Sequence, residues 1–247
     1  MKEAVGYIIK KLTGAGFALT LGFAFFLFLV RFDLFEYSEG LSNPFYWGIL
    51  YGYGIFASII IDFITNKVTF FNKKRTIILY AVAGFTFFIL NGINPFTLIA
   101  GLIGAVCAAI FYLGTYLSDK NTYFKYSFAF VLPLSLLLLS SFDFSEKEGW
   151  QATTEAESFH ASFDYFNGKH EIPLQVKEGD QITFKLDVSP TNGGGHGFHV
   201  KNDKGDLVGL EDSGNKMTFV AEYSGIYHIV IKGDDLKGEV AVFWEYN

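Results

Sequence analysis

The stretch Phe96-Thr-Leu-Ile-Ala-Gly-Leu-Ile-Gly-Ala-Val-Cys-Ala-Ala-Ile-Phe-Tyr-Leu-Gly-Thr-Tyr-Leu117 decides the class of this chain. No charged side chain falls between Phe96 and Ser118. A helix of that length reaches across a hydrocarbon core about 30 Å thick. In lipid the backbone has no water to pair with, so an apolar run this long reads as a spanning helix. Four more apolar runs lie at Gly14–Val30, Phe45–Ile64, Thr76–Leu90 and Tyr126–Phe142, the third being the shortest. The composition agrees. Hydrophobic residues make up 51 % of the 247 residues and charged ones only 18 %, against about 25 % charged in soluble domains.

The charge is split along the chain. Residues 1–142 hold ten Lys and Arg against six Asp and Glu, a net of +4; residues 143–247 hold nine against nineteen, a net of −10. All five His lie in the second part. Two regions in two solvents are expected: a five-span membrane bundle over 1–142 and a water-soluble domain over 158–247. The acidic stretch 143–157 reads as a linker between them. Phosphate backbones would be repelled by the acidic part, which excludes a nucleic-acid partner. The single Cys107 excludes an intramolecular disulfide and a Cys-based metal or redox pair.

Basic residues fix the expected orientation. They cluster before the first run (Lys2, Lys10, Lys11), after the second (Lys67, Lys73, Lys74, Arg75) and after the fourth (Lys120, Lys125), whereas the other two loops hold only Arg31. The positive-inside rule places the N-terminus in the cytoplasm and, after five crossings, the acidic domain outside. The first run lacks a small-residue cleavage site and passes into Arg31-Phe-Asp33, so it reads as an uncleaved span, with residues 1–12 a short amphipathic helix.

Asp62 in the second run and Asn91 at the end of the third are the intramembrane polar residues of interest. Asp62 reads as an interfacial carboxylate near Lys67, or as part of an ion or proton path. A lone Asp with no His in any span gives neither an aspartyl nor a Ser–His intramembrane protease. Small residues at four-residue spacing, Gly48 and Gly52 in the second run and Gly14, Ala18 and Gly22 in the first, read as helix-packing faces, within the bundle or toward a partner membrane protein. Aromatics around Tyr51 and Tyr53 read as an interfacial belt or a ligand-lining surface. Pro133 is expected to kink the last span.

The acidic part shows period-2 alternation between turn signals. Strands are expected at 159–166, 171–176, 181–188, 197–201, 207–210, 216–222, 226–232 and 239–246, with turns at Asn167-Gly168 and Asp234-Asp235 among others. Eight short strands suggest a jelly-roll-like sandwich. Its core is expected from Ile182, Phe184, Leu186 and Val188, from Tyr227, Ile229 and Ile231, and from Val240, Val242 and Trp244. The segments Leu174-Gln-Val-Lys-Glu-Gly-Asp-Gln-Ile-Thr-Phe184, Tyr223-Ser-Gly-Ile-Tyr-His-Ile-Val-Ile231 and Gly238-Glu-Val-Ala-Val-Phe-Trp244 resemble small exported bacterial β-sandwiches, the pre-peptidase C-terminal modules and Golgi-dynamics-like domains. The resemblance covers about the last 75 residues and implies a binding or accessory module rather than an enzyme.

Gly193-Gly-Gly-His196-Gly-Phe-His199 suggests a histidine pair, but residues three apart on a strand face opposite sides. A glycine-rich hairpin with exposed imidazoles is the simpler reading, and no metal or cofactor is expected. The expected function is a non-enzymatic membrane-anchored interaction protein that binds a ligand, an envelope component or a partner membrane protein, with His196, His199, Tyr51 and Tyr53 as candidate contacts. The alternative is a transport or permeation protein capped by the β-domain, its path lined by Asp62, Asn91, Tyr51 and Tyr53.

Overall fold

A computed structural model describes residues 2–67, 73–90 and 92–246. The chain divides into two compact units, Met1–Asp143 and Phe144–Asn247.

The first unit is helical. Helix α1 spans Lys2–Leu29 without interruption, so the expected amphipathic segment and the first span are one helix. Its glycines serve close approach. A Cβ on Gly14 would sit 2.8 Å from Phe111 O, and one on Gly16 would sit 1.8 Å from Phe128 O. Helix α2 (Leu34–Ser42) occupies what reads as a loop in the sequence; Asp33 caps it by accepting from Glu36 N at 2.9 Å. Helix α3 covers Pro44–Lys67, with π-helical geometry over Gly48–Gly54. Helices α4 (Lys73–Ile89) and α5 (Pro95–Ser118) follow. Asn94 and Thr97 form a reciprocal capping box at the start of α5. Helix α6 (Thr122–Leu139) passes through a π-helical stretch, Ser127–Val131, just before Pro133, where the missing proline N–H disturbs the regular ladder.

Among the described residues, four of these helices (α1, α3, α5 and α6) are long and apolar enough to cross a membrane. Helix α4, at 17 residues, is shorter than these four, as its apolar run suggests. The small-residue faces divide unevenly. Gly84 of α4 abuts Gly104 of α5 so closely that a Cβ there would lie 2.2 Å from Gly104 O. Among the described residues Gly48 and Gly52 make no such contact: a Cβ on either meets nothing within 4 Å. The GxxxG reading of the second run as a packing face inside the bundle is therefore corrected; that face points outward.

The second unit is an antiparallel sheet in the order β1-β3-β8-β4-β7-β6, with β2 on β3 and β5 on β8. The strands are β1 (Glu146–Glu148), β2 (Gln151–Thr154), β3 (Ser158–Val176), β4 (Gln181–Pro190), β5 (Gly195–Lys201), β6 (Glu211–Asp212), β7 (Met217–Val220) and β8 (Gly225–Tyr246). Two long strands, β3 and β8, carry the fold and pair along most of their length.

The expected turns at Asn167-Gly168 and Asp234-Asp235 are bulges inside these strands. Their register shifts between Phe163 and Gly168, and Gly168, Asp235 and Gly238 have φ of +144°, +50° and +128°. The shift has a packing consequence. On β3 the inward residues are Phe159, Ala161 and Phe163 before it, and Ile172, Leu174 and Val176 after it. On β8 they are Tyr227, Ile229 and Ile231, then Val240, Val242 and Trp244. The period-2 phase flips at the bulges, so both halves face one core. Residues 143–157, expected as a linker, contain β1 and β2, whose pairing with β3 ties them into the sheet. The expected strand 207–210 reduces to a single bridge, Lys201 to Leu207.

Candidate functional site

The helical unit holds an ionic network inside an apolar bundle. Lys11 is 2 % exposed. Its Nζ lies 2.6 Å from Asp62 Oδ2 and 2.6 Å from Ser58 Oγ, and 3.5 Å from Tyr80 Oη. Ser58 Oγ and Tyr80 Oη are 2.6 Å apart, and Tyr7 donates to Asp62 Oδ2 at 2.9 Å. Three helices meet here, because Lys11 shares the face of α1 that carries the buried Ala15 and Ala18.

Asp62 is thus paired with Lys11, and the expected neighbour Lys67 instead sits 4.3 Å from the Phe63 ring. A serine beside a lysine invites a nucleophilic reading. Here Lys11 donates to both Asp62 and Ser58, so Ser58 accepts from an ammonium rather than losing a proton to an amine. The network braces the helices and neutralises its own charge.

Beside it lies a cavity of about 350 Å³ between α1, α3, α4 and α5. Its wall is apolar and aromatic, and Tyr53, Tyr80 and Cys107 contribute. Tyr53 lines it with its ring 4.6 Å from Phe87, and its hydroxyl is taken up by Ala83 O at 2.8 Å. Tyr51 stacks on Trp47 at 6.0 Å, and its hydroxyl is buried without a hydrogen-bond partner among the described residues. Asn91 lies outside the described residues.

In the β-unit, His196 and His199 sit on β5, opposite Gly233 and Val230 of β8. His196 is exposed and His199 half-buried. The glycine run before them has a structural cause: a Cβ on Gly194 would lie 2.5 Å from Asp235 O. That loop is held by Asn192, which donates to Asp235 O at 2.6 Å and accepts from Lys237 N at 3.0 Å.

Next to His199 the sequence reading missed a charged trio. Lys201 Nζ lies 2.7 Å from Glu171 Oε1, and His228 Nδ1 lies 3.4 Å from Glu171 Oε2. Partial burial pushes the Glu171 carboxyl up, but Lys201 and then His228 outweigh it and hold it below its ordinary value. Cross-strand register brings the trio together, since Lys201 and Pro173 both lie opposite His228. Register of that kind is invisible in a single strand's pattern. Among the described residues, no group of three or more His, Cys, Asp or Glu could hold a metal ion.

Neither a family model nor a curated protein matches the chain. Among solved structures, it is similar to PliG, a periplasmic lysozyme inhibitor of g-type lysozyme from Aeromonas hydrophila. The identity is 19 % over 39 % of this chain and 89 % of that one, with a TM-score of 0.27.

Proposed function

We propose that this is a multi-pass membrane protein with a cytoplasmic N-terminus, and that its β-unit is held on the extracytoplasmic side as a non-enzymatic binding module. The bundle crosses five times, through α1 and α3 to α6. Seventeen residues of α4 lie at the low end of spanning length. One observation carries the reading: the basic-rich segments converge at one end of the bundle. Lys10 pairs with Asp119, Lys11 pairs with Asp62, and Thr13 Oγ1 donates to the backbone oxygen of Lys125 at 3.0 Å. The start of α1, the end of α5 and the start of α6 therefore share one end. The weakly basic segments meet separately, where Ser42 Oγ donates to Ser140 O at 3.1 Å. An apolar bundle whose basic-rich segments meet at one end is what the positive-inside rule describes.

The binding surface we assign to the β-unit is the edge formed by β5, which pairs with β8 on one side; His196 is exposed on one face of that strand, and His199 and the Lys201–Glu171–His228 trio lie on the other. A transport path is less well supported, because Asp62 is neutralised by Lys11 and the Tyr53 hydroxyl is already bonded. The test is photocrosslinking of the full-length chain in intact cells, with a photoreactive amino acid at His196 or, on β4, at Lys185. A stoichiometric adduct from position 196 and none from 185 supports the module. No adduct from 196, or equal adducts from both, overturns it.

A further inference from the structure

The cavity of the helical unit has the dimensions of a single hydrocarbon chain. Its lining on α5 runs from Ala100 to Phe111, about 16 Å at 1.5 Å per residue. A volume near 350 Å³ drawn out over that length makes a long, narrow space. That shape and length suit one extended chain.

The two ends differ. At one end the lining residues Ala18, Leu19, Ile61, Tyr80 and Phe111 are between 1 % and 5 % exposed, so it is closed. At the other end Phe45 and Tyr46 are 53 % and 46 % exposed, so it is open. Two phenols of the wall have partners within the protein: Tyr80 Oη is bonded to Ser58 and Tyr53 Oη to Ala83 O. An apolar chain would recover the dispersion contacts that empty apolar walls lack. Volume and lining both fall in the ordinary range of ligand pockets.

We propose that this cavity binds one straight hydrocarbon tail of a membrane lipid, which enters between Phe45 and Tyr46 and rests its tip against Tyr80 and Phe111. The head group stays outside, at the end of the bundle away from Lys11. This rests on the membrane placement proposed above and adds a ligand to it.

The test uses full-length protein in phospholipid vesicles doped with a straight-chain fatty acid that carries a diazirine at its terminal carbon. After irradiation, adducts are mapped by mass spectrometry. The expected adducts fall on Tyr80 and Phe111, which surrounding lipid does not reach. Gly22 lines the cavity and a Cβ there meets nothing within 4 Å, so Gly22→Leu is expected to fill the space and reduce these adducts to background. Ala57→Leu, also on the lining, is expected to do the same. Gly52→Leu, equally uncrowded but off the lining, leaves them unchanged. Adducts confined to outward residues such as Val82 and Leu113 would overturn the tail site while leaving the membrane placement standing. No adduct anywhere in the helical unit would overturn both. Labelling of Tyr80 by a sterol photoprobe as strong as by the fatty acid would refute the single-chain shape.

Discussion

Removing the carboxylate of Asp62 should destabilise the helical unit more than removing the ammonium of Lys11, and removing both should restore much of the loss. The asymmetry follows from burial. Lys11 is 2 % exposed, whereas the Asp62 side chain is 29 % exposed. In Asp62→Leu, Lys11 retains one good neutral hydrogen bond, to Ser58 at 2.6 Å, and one long contact, to Tyr80 at 3.5 Å. An uncompensated buried charge costs about 3–5 kcal/mol; two neutral partners reduce this to roughly 3 kcal/mol. In Lys11→Met, Asp62 keeps the Tyr7 hydroxyl at 2.9 Å and its access to water. The cost there is about 1–2 kcal/mol. The double variant leaves no charge unpaired and should fall within about 1 kcal/mol of the parent, since a buried pair seldom outperforms an apolar replacement. The assay is reversible unfolding in mixed micelles, read as a double-mutant cycle. Additive single losses, or a Lys11→Met loss larger than that of Asp62→Leu, would refute the reasoning.

Three further outcomes follow from the geometry. Burial first, and the Lys147 ammonium 3.2 Å away second, depress His170 from 6.5 to about 4, with Glu171 opposing. The folded β-unit therefore binds fewer protons than the unfolded chain, so this stability is complete above pH about 6.5 and is lost as pH falls toward 4. With partial exposure discounted, the loss is about 1–2 kcal/mol; amide exchange of β3 across that window measures it, and a His170→Phe variant with an unchanged slope would contradict it. Gly84→Leu should lower the thermal midpoint of the helical unit sharply, because the new side chain meets the Gly104 carbonyl backbone, while Gly52→Leu should leave it unchanged; equal midpoints would refute the contact. Phe166→Ala removes a side chain that is 0 % exposed and should cost the β-unit about 3–5 kcal/mol in chemical unfolding.

The helical runs were legible because hydropathy reports what a helix must be to face lipid, and the observed helices overlie all five runs. What hydropathy could not show was a lysine turned inward. Lys11 follows Lys10 and reads as one of two surface anchors, yet it lies four and seven residues before Ala15 and Ala18, on the face that packs. That spacing was the available signal. Helix α2 was also signalled, by Asp33 three residues before Glu36, but its short amphipathic run resembles a loop beside longer apolar ones. In the β-unit, alternation picked out the inward residues of β4 and β8 correctly, because side-chain period survives whatever the connectivity. It did not reveal that β3 and β8 continue through their bulges. Asn-Gly and Asp-Asp have the same composition in a turn and in a bulge, and only pairing across the sheet distinguishes them. The Lys201–Glu171–His228 trio was hidden for the same reason.

The most direct test of the account is the sidedness of the two ends of the chain. In a Cys107→Ser background, single cysteines placed by Ser213→Cys in the β-unit and Lys120→Cys beyond α5 are exposed to a membrane-impermeant maleimide in intact cells. Position 213 is expected to label in intact cells and position 120 to label only after lysis. Labelling at 120 with protection at 213, or equal labelling of both in sealed cells, would contradict it.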